Sequence, residues 1–85
     1  MVGHMHFIYI LQSDKDKRYY VGMTQNLAIR LLYHNSGKVR STKHRVPLRL
    51  IYSEKYGTGE EARKREVYLK SYKGSREKLK ILESL

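Results

Sequence analysis

Two runs rich in isoleucine, valine and aromatic residues, His6 to Gln12 and Arg18 to Met23, flank the short charged segment Ser13-Asp14-Lys15-Asp16-Lys17. Segments of that composition, joined so closely, have one economical solution, an antiparallel hairpin. From Asn26 the period changes. Leu27, Ala28, Leu31 and Leu32 recur at helical spacing, Asn26 or Thr24 can cap the start, and Asn35-Ser36-Gly37 supplies a stop. This predicts an amphipathic helix of about three turns.

Residues 37 to 47 form a polar loop closed by Pro47. Leu48, Leu50 and Tyr52, alternating with Arg49, Ile51 and Ser53, then read as a third strand with one face more buried than the other. Gly57-Thr58-Gly59 breaks it. Thr58, with Glu61 three residues on, makes a capping box for a helix running to about Tyr72. Ser75 can cap a last helix bearing Leu79, Leu82 and Leu85. The order β-β-α-β-α-α, with apolar stripes that need a partner layer, predicts an α+β fold in which a three-stranded sheet packs against helices.

At 85 residues without an internal repeat, the chain has room for one domain, expected over residues 6–85. A core of this size buries only about 60% of the unfolded chain's surface, so a shallow surface site is expected rather than an enclosed pocket. Residues 1–5, with a second methionine at Met5, are read as disordered or vector-derived and carry no functional weight. No apolar stretch approaches a membrane span, and no secretory apolar region opens the chain, so a cytoplasmic location is expected. The absence of cysteine excludes disulfides, thiolate zinc sites and cysteine nucleophiles. Only His and carboxylates are left to hold a metal.

Lys and Arg number 18 against 8 acidic residues, a formal net charge of +10 on a 10.1 kDa chain. That exceeds what solubility requires and points to a polyanion, because cationic side chains that neutralise phosphates release condensed counterions. Nucleic acid is therefore the expected partner, ahead of an anionic membrane. Lys38, Arg40, Thr42, Lys43, His44 and Arg45 make the loop before Pro47 the most basic segment, suited to gripping a phosphate backbone without reading bases.

Two polar features resist a purely structural account. Glu66 lies four residues after Ala62 and three before Leu69, on the face of its helix that should meet the sheet. It is either paired with Arg63, Arg65 or Lys70, or it is a metal-binding or catalytic carboxylate. Arg30 and His34, one turn apart, edge the apolar stripe of the first helix and can reach a common point. Eight of the nine aromatics are tyrosines, among them Tyr9, Tyr19 and Tyr20, and buried phenols need partners.

Phe7-Ile8-Tyr9, then Tyr20-Val21-Gly22, Arg30, His34 and Glu66 form an ordered set that resembles the GIY-YIG nucleases. The resemblance extends over residues 6 to 82, through Tyr20-Val21-Gly22-Met23-Thr24-Gln25-Asn26-Leu27, His34-Asn35-Ser36-Gly37, Pro47 before Leu50-Ile51-Tyr52, and Arg65-Glu66 before Leu69-Lys70. It is greatest to the short standalone bacterial members. It implies a three-stranded antiparallel sheet with Tyr, Arg, His and Glu converging on one shallow face. Carried over, Glu66 would hold a single Mg²⁺ or Mn²⁺, Arg30 would neutralise charge on the phosphoryl oxygens, and Tyr9 and Tyr20 would orient or deprotonate water with help from His34. Gly22 and Thr24 would lie against the nucleic acid, Gly22 because a side chain there would block a phosphate. A phenol titrates near pH 10, so a tyrosine base needs neighbouring cations. Phe7 stands where the name-giving glycine would be, and Met23 where some relatives place a lysine, which leaves base activation to His34.

The activity so implied is metal-dependent endonuclease hydrolysis of DNA phosphodiesters, with little sequence specificity and a preference for branched or single-stranded shape, as in repair or recombination. A monomer is expected. The alternatives are a non-catalytic nucleic-acid-binding module on the same fold and an RNA-binding protein whose tyrosines stack on bases.

Overall fold

The computed structural model describes residues 5–85; the expectation for the N-terminal leader falls on residues 1–4, outside that range, apart from an exposed Met5. The observed order is β1 (His6–Ser13), β2 (Tyr19–Thr24), α1 (Leu27–Asn35), β3 (Leu48–Tyr56), α2 (Gly59–Lys70) and α3 (Gly74–Glu83). This is the β-β-α-β-α-α order and α+β class expected from the periodicities. The sheet runs β2-β1-β3 with both pairings antiparallel, so β1 is central and β2 and β3 are edges.

β1 is buried on both faces, and its alternation divides the core in two. Ile8 and Ile10, with Val21 of β2, meet Ala62 and Leu69 of α2, and Ile81 and Leu82 of α3 close over them. Tyr9 and Leu11 point to the opposite face and meet Leu48, Tyr20, Leu27, Leu31 and Val46. One face is thus covered by α2 and α3, the other by α1 and the loop that follows it.

The hairpin turn is stabilised by Ser13, whose hydroxyl accepts the N–H groups of Lys15 (3.0 Å) and Asp16 (3.1 Å) and donates to the Arg45 carbonyl (2.6 Å). Asn26 is the α1 cap, accepting the Ile29 N–H at 3.0 Å. Thr24 instead forms a local turn with Asn26, accepting its N–H at 3.1 Å. Thr58 caps α2 through the Glu61 N–H at 3.2 Å.

Five expectations need correction. β3 does not keep one apolar face: a register shift opposite Ile10/Leu11 inserts Ile51, so Leu48 faces α1 whereas Ile51 and Tyr52 face α2, and Leu50 is 38% exposed. A bulge of this kind reverses the alternation that a sequence pattern assumes to be continuous. α2 stops at Lys70, and the turn is made by Ser71, which accepts the Gly74 N–H at 3.1 Å; Ser75 lies inside α3 and does not cap it. Leu79 and Leu85 are exposed, leaving Ile81 and Leu82 as the packing residues of α3. Leu32 of α1 is exposed as well.

Candidate functional site

The polar residues of interest gather on the α1 face of the sheet. Tyr9 projects from the middle of β1, opposite Gly22 of β2, and is 2% exposed. A side chain at Gly22 would overlap the Tyr9 hydroxyl, so glycine is what allows the phenol to lie flat across β2. A close approach at Gly22 is made by the Tyr9 side chain, and Gly22 itself is buried.

α1 brings Arg30 and His34 to the same phenol. Arg30 Nε donates to the Tyr9 hydroxyl at 3.2 Å, His34 Nε2 lies 2.9 Å from it, and His34 Nδ1 lies 2.7 Å from Thr42 Oγ1. His34 and Thr42 are fully buried. The Tyr20 ring stands edge-on to His34 with centroids 5.0 Å apart and 6.2 Å from Tyr9.

Proton positions can be assigned from this network. The Tyr9 oxygen accepts from Arg30, so its single proton is directed to His34 Nε2, which must then carry a lone pair. The His34 proton sits on Nδ1 and is donated to Thr42. A neutral imidazole is consistent with its surroundings: burial, and then the Arg30 charge, push its pKa down to about 4. Burial also pushes the Tyr9 phenol above its usual value, opposed by the Arg30 hydrogen bond and aided by the neighbouring Tyr20 and Glu66. Tyr9 is thus a neutral, buried hydroxyl here, contrary to the lowered phenol that a base at this position would need.

Glu66 approaches from the other side of the sheet. α2 packs across β1 and the edge strand β2, and the Glu66 side chain is 18% exposed. It is paired with Lys70 at 3.0 Å, one of the three partners weighed from spacing. The Lys70 ammonium in turn lies 5.6 Å from the centre of the Tyr20 ring, so Glu66, Lys70 and Tyr20 gather at the free edge of β2. Among the described residues no three His, Asp or Glu side chains form a metal cluster. A cation at Glu66 would have one protein carboxylate and would complete its shell with water and phosphate oxygens, an arrangement that suits Mg²⁺ or Mn²⁺.

The basic loop is smaller than its sequence suggests. Lys38, Arg40, Lys43 and His44 are exposed on it. Thr42 is not, because its hydroxyl faces inward to His34. Arg45 is committed to Asp16 at 3.0 Å and reaches the Tyr19 carbonyl at 3.4 Å. Thr24 is half-buried in its turn with Asn26. A cavity of about 340 Å³ lies at the α2-α3 junction, lined by Tyr72, Lys73, Ser75 and Arg76 and by none of the site residues.

Two supporting groups had escaped the sequence reading. Asn35 ties the end of α1 to β3, accepting the Leu48 N–H at 2.7 Å and donating to its carbonyl at 2.9 Å. Glu54 receives Tyr52 (2.6 Å), Tyr56 (2.7 Å) and both nitrogens of a forked Arg65 (2.8 and 2.9 Å), while Arg65 also reaches Glu77. This clamp fixes β3, α2 and α3 to one another beside Glu66. The alternation Tyr52, Glu54, Tyr56 placed all three on one strand face and was the available signal.

This small α+β domain thus gathers an arginine, a histidine and two tyrosines on one sheet face, with the Glu66 carboxylate at the edge. Residues 5–80 match the GIY-YIG catalytic domain, and the chain belongs to that family. It is 38% identical over 79 residues to the UPF0213 protein SH2523 of Staphylococcus haemolyticus, covering 92% of this chain and 94% of that one. With the UPF0213 protein YazA of Bacillus subtilis the identity is 38% over 84 residues, covering 98% and 84% of the two chains. The solution NMR structure of the UPF0213 protein BH0048 from Bacillus halodurans superposes with a TM-score of 0.55 at 30% identity, covering 91% of this chain and 84% of that one. The relatives are short standalone members, as the resemblance implied. Membership places the chain in a superfamily of endonucleases that act on DNA and typically use a divalent metal ion. Among the described residues no helix is long and apolar enough to cross a membrane.

Proposed function

We propose that this chain is a metal-dependent endonuclease that hydrolyses DNA phosphodiester bonds with little sequence preference, selecting branched or single-stranded shape in repair or recombination. Residues 6–85 would be the single functional domain, working as a monomer in the cytoplasm. The observation that carries the reading is the unbroken hydrogen-bonded run from Arg30 through Tyr9 and His34 to Thr42, with Tyr20 beside it.

Arg30 forms no salt bridge among the described residues, and its link to Tyr9 orients a guanidinium that can meet phosphoryl oxygens. Tyr20, half-buried at the sheet edge beside Lys70, is the phenol open to an attacking water and would orient it. Tyr9 is too enclosed for that role and instead anchors Arg30, donating a hydrogen bond from its hydroxyl to His34. Glu66 would hold Mg²⁺ or Mn²⁺, which when bound supplies positive charge to the scissile phosphate and the leaving oxygen. Lys38, Arg40, Lys43 and His44, exposed on the loop, would follow the strand backbone, which carries no base sequence, and any preference would come from shape.

The ion pair between Lys70 and Glu66 favours a second reading, a nucleic-acid-binding module for DNA or RNA that does not cleave, because a neutralised carboxylate binds cations poorly. Labelled single-stranded, duplex and branched DNA incubated with Mg²⁺ or Mn²⁺ separates the two, comparing wild type with Glu66→Ala after circular dichroism shows both folded. Metal-dependent cutting lost in Glu66→Ala supports the nuclease. No cutting of any substrate, with salt-sensitive binding kept by both proteins, removes it and leaves the binding module.

A further inference from the structure

Thr42 is the one loop residue between Gly37 and Pro47 whose side chain is wholly buried, and its hydroxyl is 2.7 Å from His34 Nδ1. A threonine at the centre of a basic, turn-rich segment needs no such burial to satisfy itself, since solvent would serve. The backbone around it is shaped for the purpose: its N–H is donated to the Val39 carbonyl at 3.0 Å, and its carbonyl accepts the Arg45 N–H at 2.8 Å. Arg45 is tied in turn to Asp16 and, through its own carbonyl, to Ser13. The hairpin turn, the loop and α1 thus converge on one hydroxyl.

We propose that Thr42 is a positioning residue that holds the ring orientation of His34 and accepts the Nδ1 proton of the tautomer that Arg30 and Tyr9 select, keeping the lone pair on Nε2 directed at the Tyr9 hydroxyl. Every group facing the imidazole agrees with this polarity. Tyr9 from β1 offers its proton because its oxygen already accepts from Arg30 of α1, Tyr20 from β2 presents only its ring, and Thr42 closes the far side. A hydroxyl both accepts and donates, so it can serve either tautomer. The bias comes from the far end of the run, where Arg30 can only donate. Thr42 transmits no charge of its own. It removes the ring's freedom to flip, which would otherwise present a proton to Tyr9 and break the link to Arg30. The relation is that of an outer partner that orients an imidazole, and around metal-bound histidines the loss of such a partner costs about 10- to 100-fold, the scale expected here.

This inference rests on the nuclease reading only for its consequence, not for its geometry, and two arms separate them. In the first, the imidazole nitrogens of His34 are assigned by long-range ¹⁵N NMR in wild type, Thr42→Val and Thr42→Ser. Wild type is expected to carry its proton on Nδ1, Thr42→Val to shift toward the Nε2 tautomer or a mixture, and Thr42→Ser to match wild type. A wild-type proton on Nε2 overturns the proposal without need of any variant, and so does a folded Thr42→Val with the wild-type tautomer. The second arm is cleavage of branched DNA across pH at saturating metal. A kcat lowered about 10- to 100-fold in Thr42→Val with KM unchanged, and restored in Thr42→Ser, is the expected result. Equal kcat in wild type and Thr42→Val overturns the catalytic consequence, whereas absence of cleavage in all three overturns the nuclease reading and leaves the tautomer measurement to decide this one.

Discussion

The Glu54 clamp should make the fold acid-sensitive in a way that can be isolated. Burial alone would raise this carboxyl, but the forked Arg65 and the two phenols of Tyr52 and Tyr56 outweigh it and hold the pKa at about 2 against an ordinary 4.5. At about 1.4 kcal/mol per pH unit, that difference favours the ionised folded state by at most about 3 kcal/mol at neutral pH. The side chain is only 15% exposed, so solvent screening reduces the figure little. The folded pKa is depressed, so the stabilisation is complete above pH 4.5 and is lost as pH falls toward 2. For a domain whose total stability is about 5–15 kcal/mol, this is a large share.

Urea unfolding followed by circular dichroism at intervals from pH 7 to pH 2 gives the test, in wild type and Glu54→Gln. Glu54→Gln should be less stable at pH 7 by about 3 kcal/mol, since it also leaves a half-buried Arg65 underpaired. The gap should narrow steadily below pH 4.5 and nearly close at pH 2, because protonation does to the wild type what the substitution did already. Asp16, whose carboxyl is also held low, lies outside the clamp and cancels in the difference, whereas Glu77 shares Arg65 with Glu54 and is separated by repeating the comparison in a Glu77→Gln background. A gap that stays constant from pH 7 to pH 2 would refute the reasoning, since the substitution would then act through packing and not through the charge.

Further outcomes follow from the same geometry. Arg30→Ala should lower cleavage about 100- to 1000-fold in kcat with DNA binding retained, as read by single-turnover kinetics and filter binding. Gly22→Ala places a methyl group where the Tyr9 hydroxyl lies and should cost about 1–3 kcal/mol in urea unfolding, with the Tyr9 to Arg30 hydrogen bond disturbed. Arg40→Ala and Lys43→Ala should each weaken DNA binding evenly across sequences and reduce the slope of log affinity on log salt by about 1, whereas Arg45→Ala, already paired with Asp16, should leave that slope unchanged.

Much of this arrangement was legible in the chain. The hairpin, the three helices and their order follow from local period and capping chemistry, which residues close in sequence determine among themselves. Glu66 falls between Ala62 and Leu69, so its burial against the sheet side was readable, and both neighbours are fully buried. The spacing of Arg30 and His34 put them on one helical edge, and the structure joins both to Tyr9. Other features depended on partners far away in the chain. Leu48 and Ile51 belong to opposite cores because a bulge against β1 shifts the register, and no pattern within β3 announces it. Thr42 and Arg45 look like two more polar residues in a basic loop until α1 and the hairpin turn supply His34 and Asp16. Lys70 was one of three cations able to pair with Glu66, and the packing of α2 along β2 selected it and brought it to Tyr20. The sequence by itself therefore determined which elements form and in what order, because those depend on neighbours within a turn or a pleat, whereas the buried faces of β3 and α3 were set by the packing. Tertiary structure alone decided which polar groups are exposed to a substrate and which are used up holding one another, because hydrogen-bond partners 8 to 32 residues apart, as for His34 with Thr42 and Ser13 with Arg45, are chosen by packing.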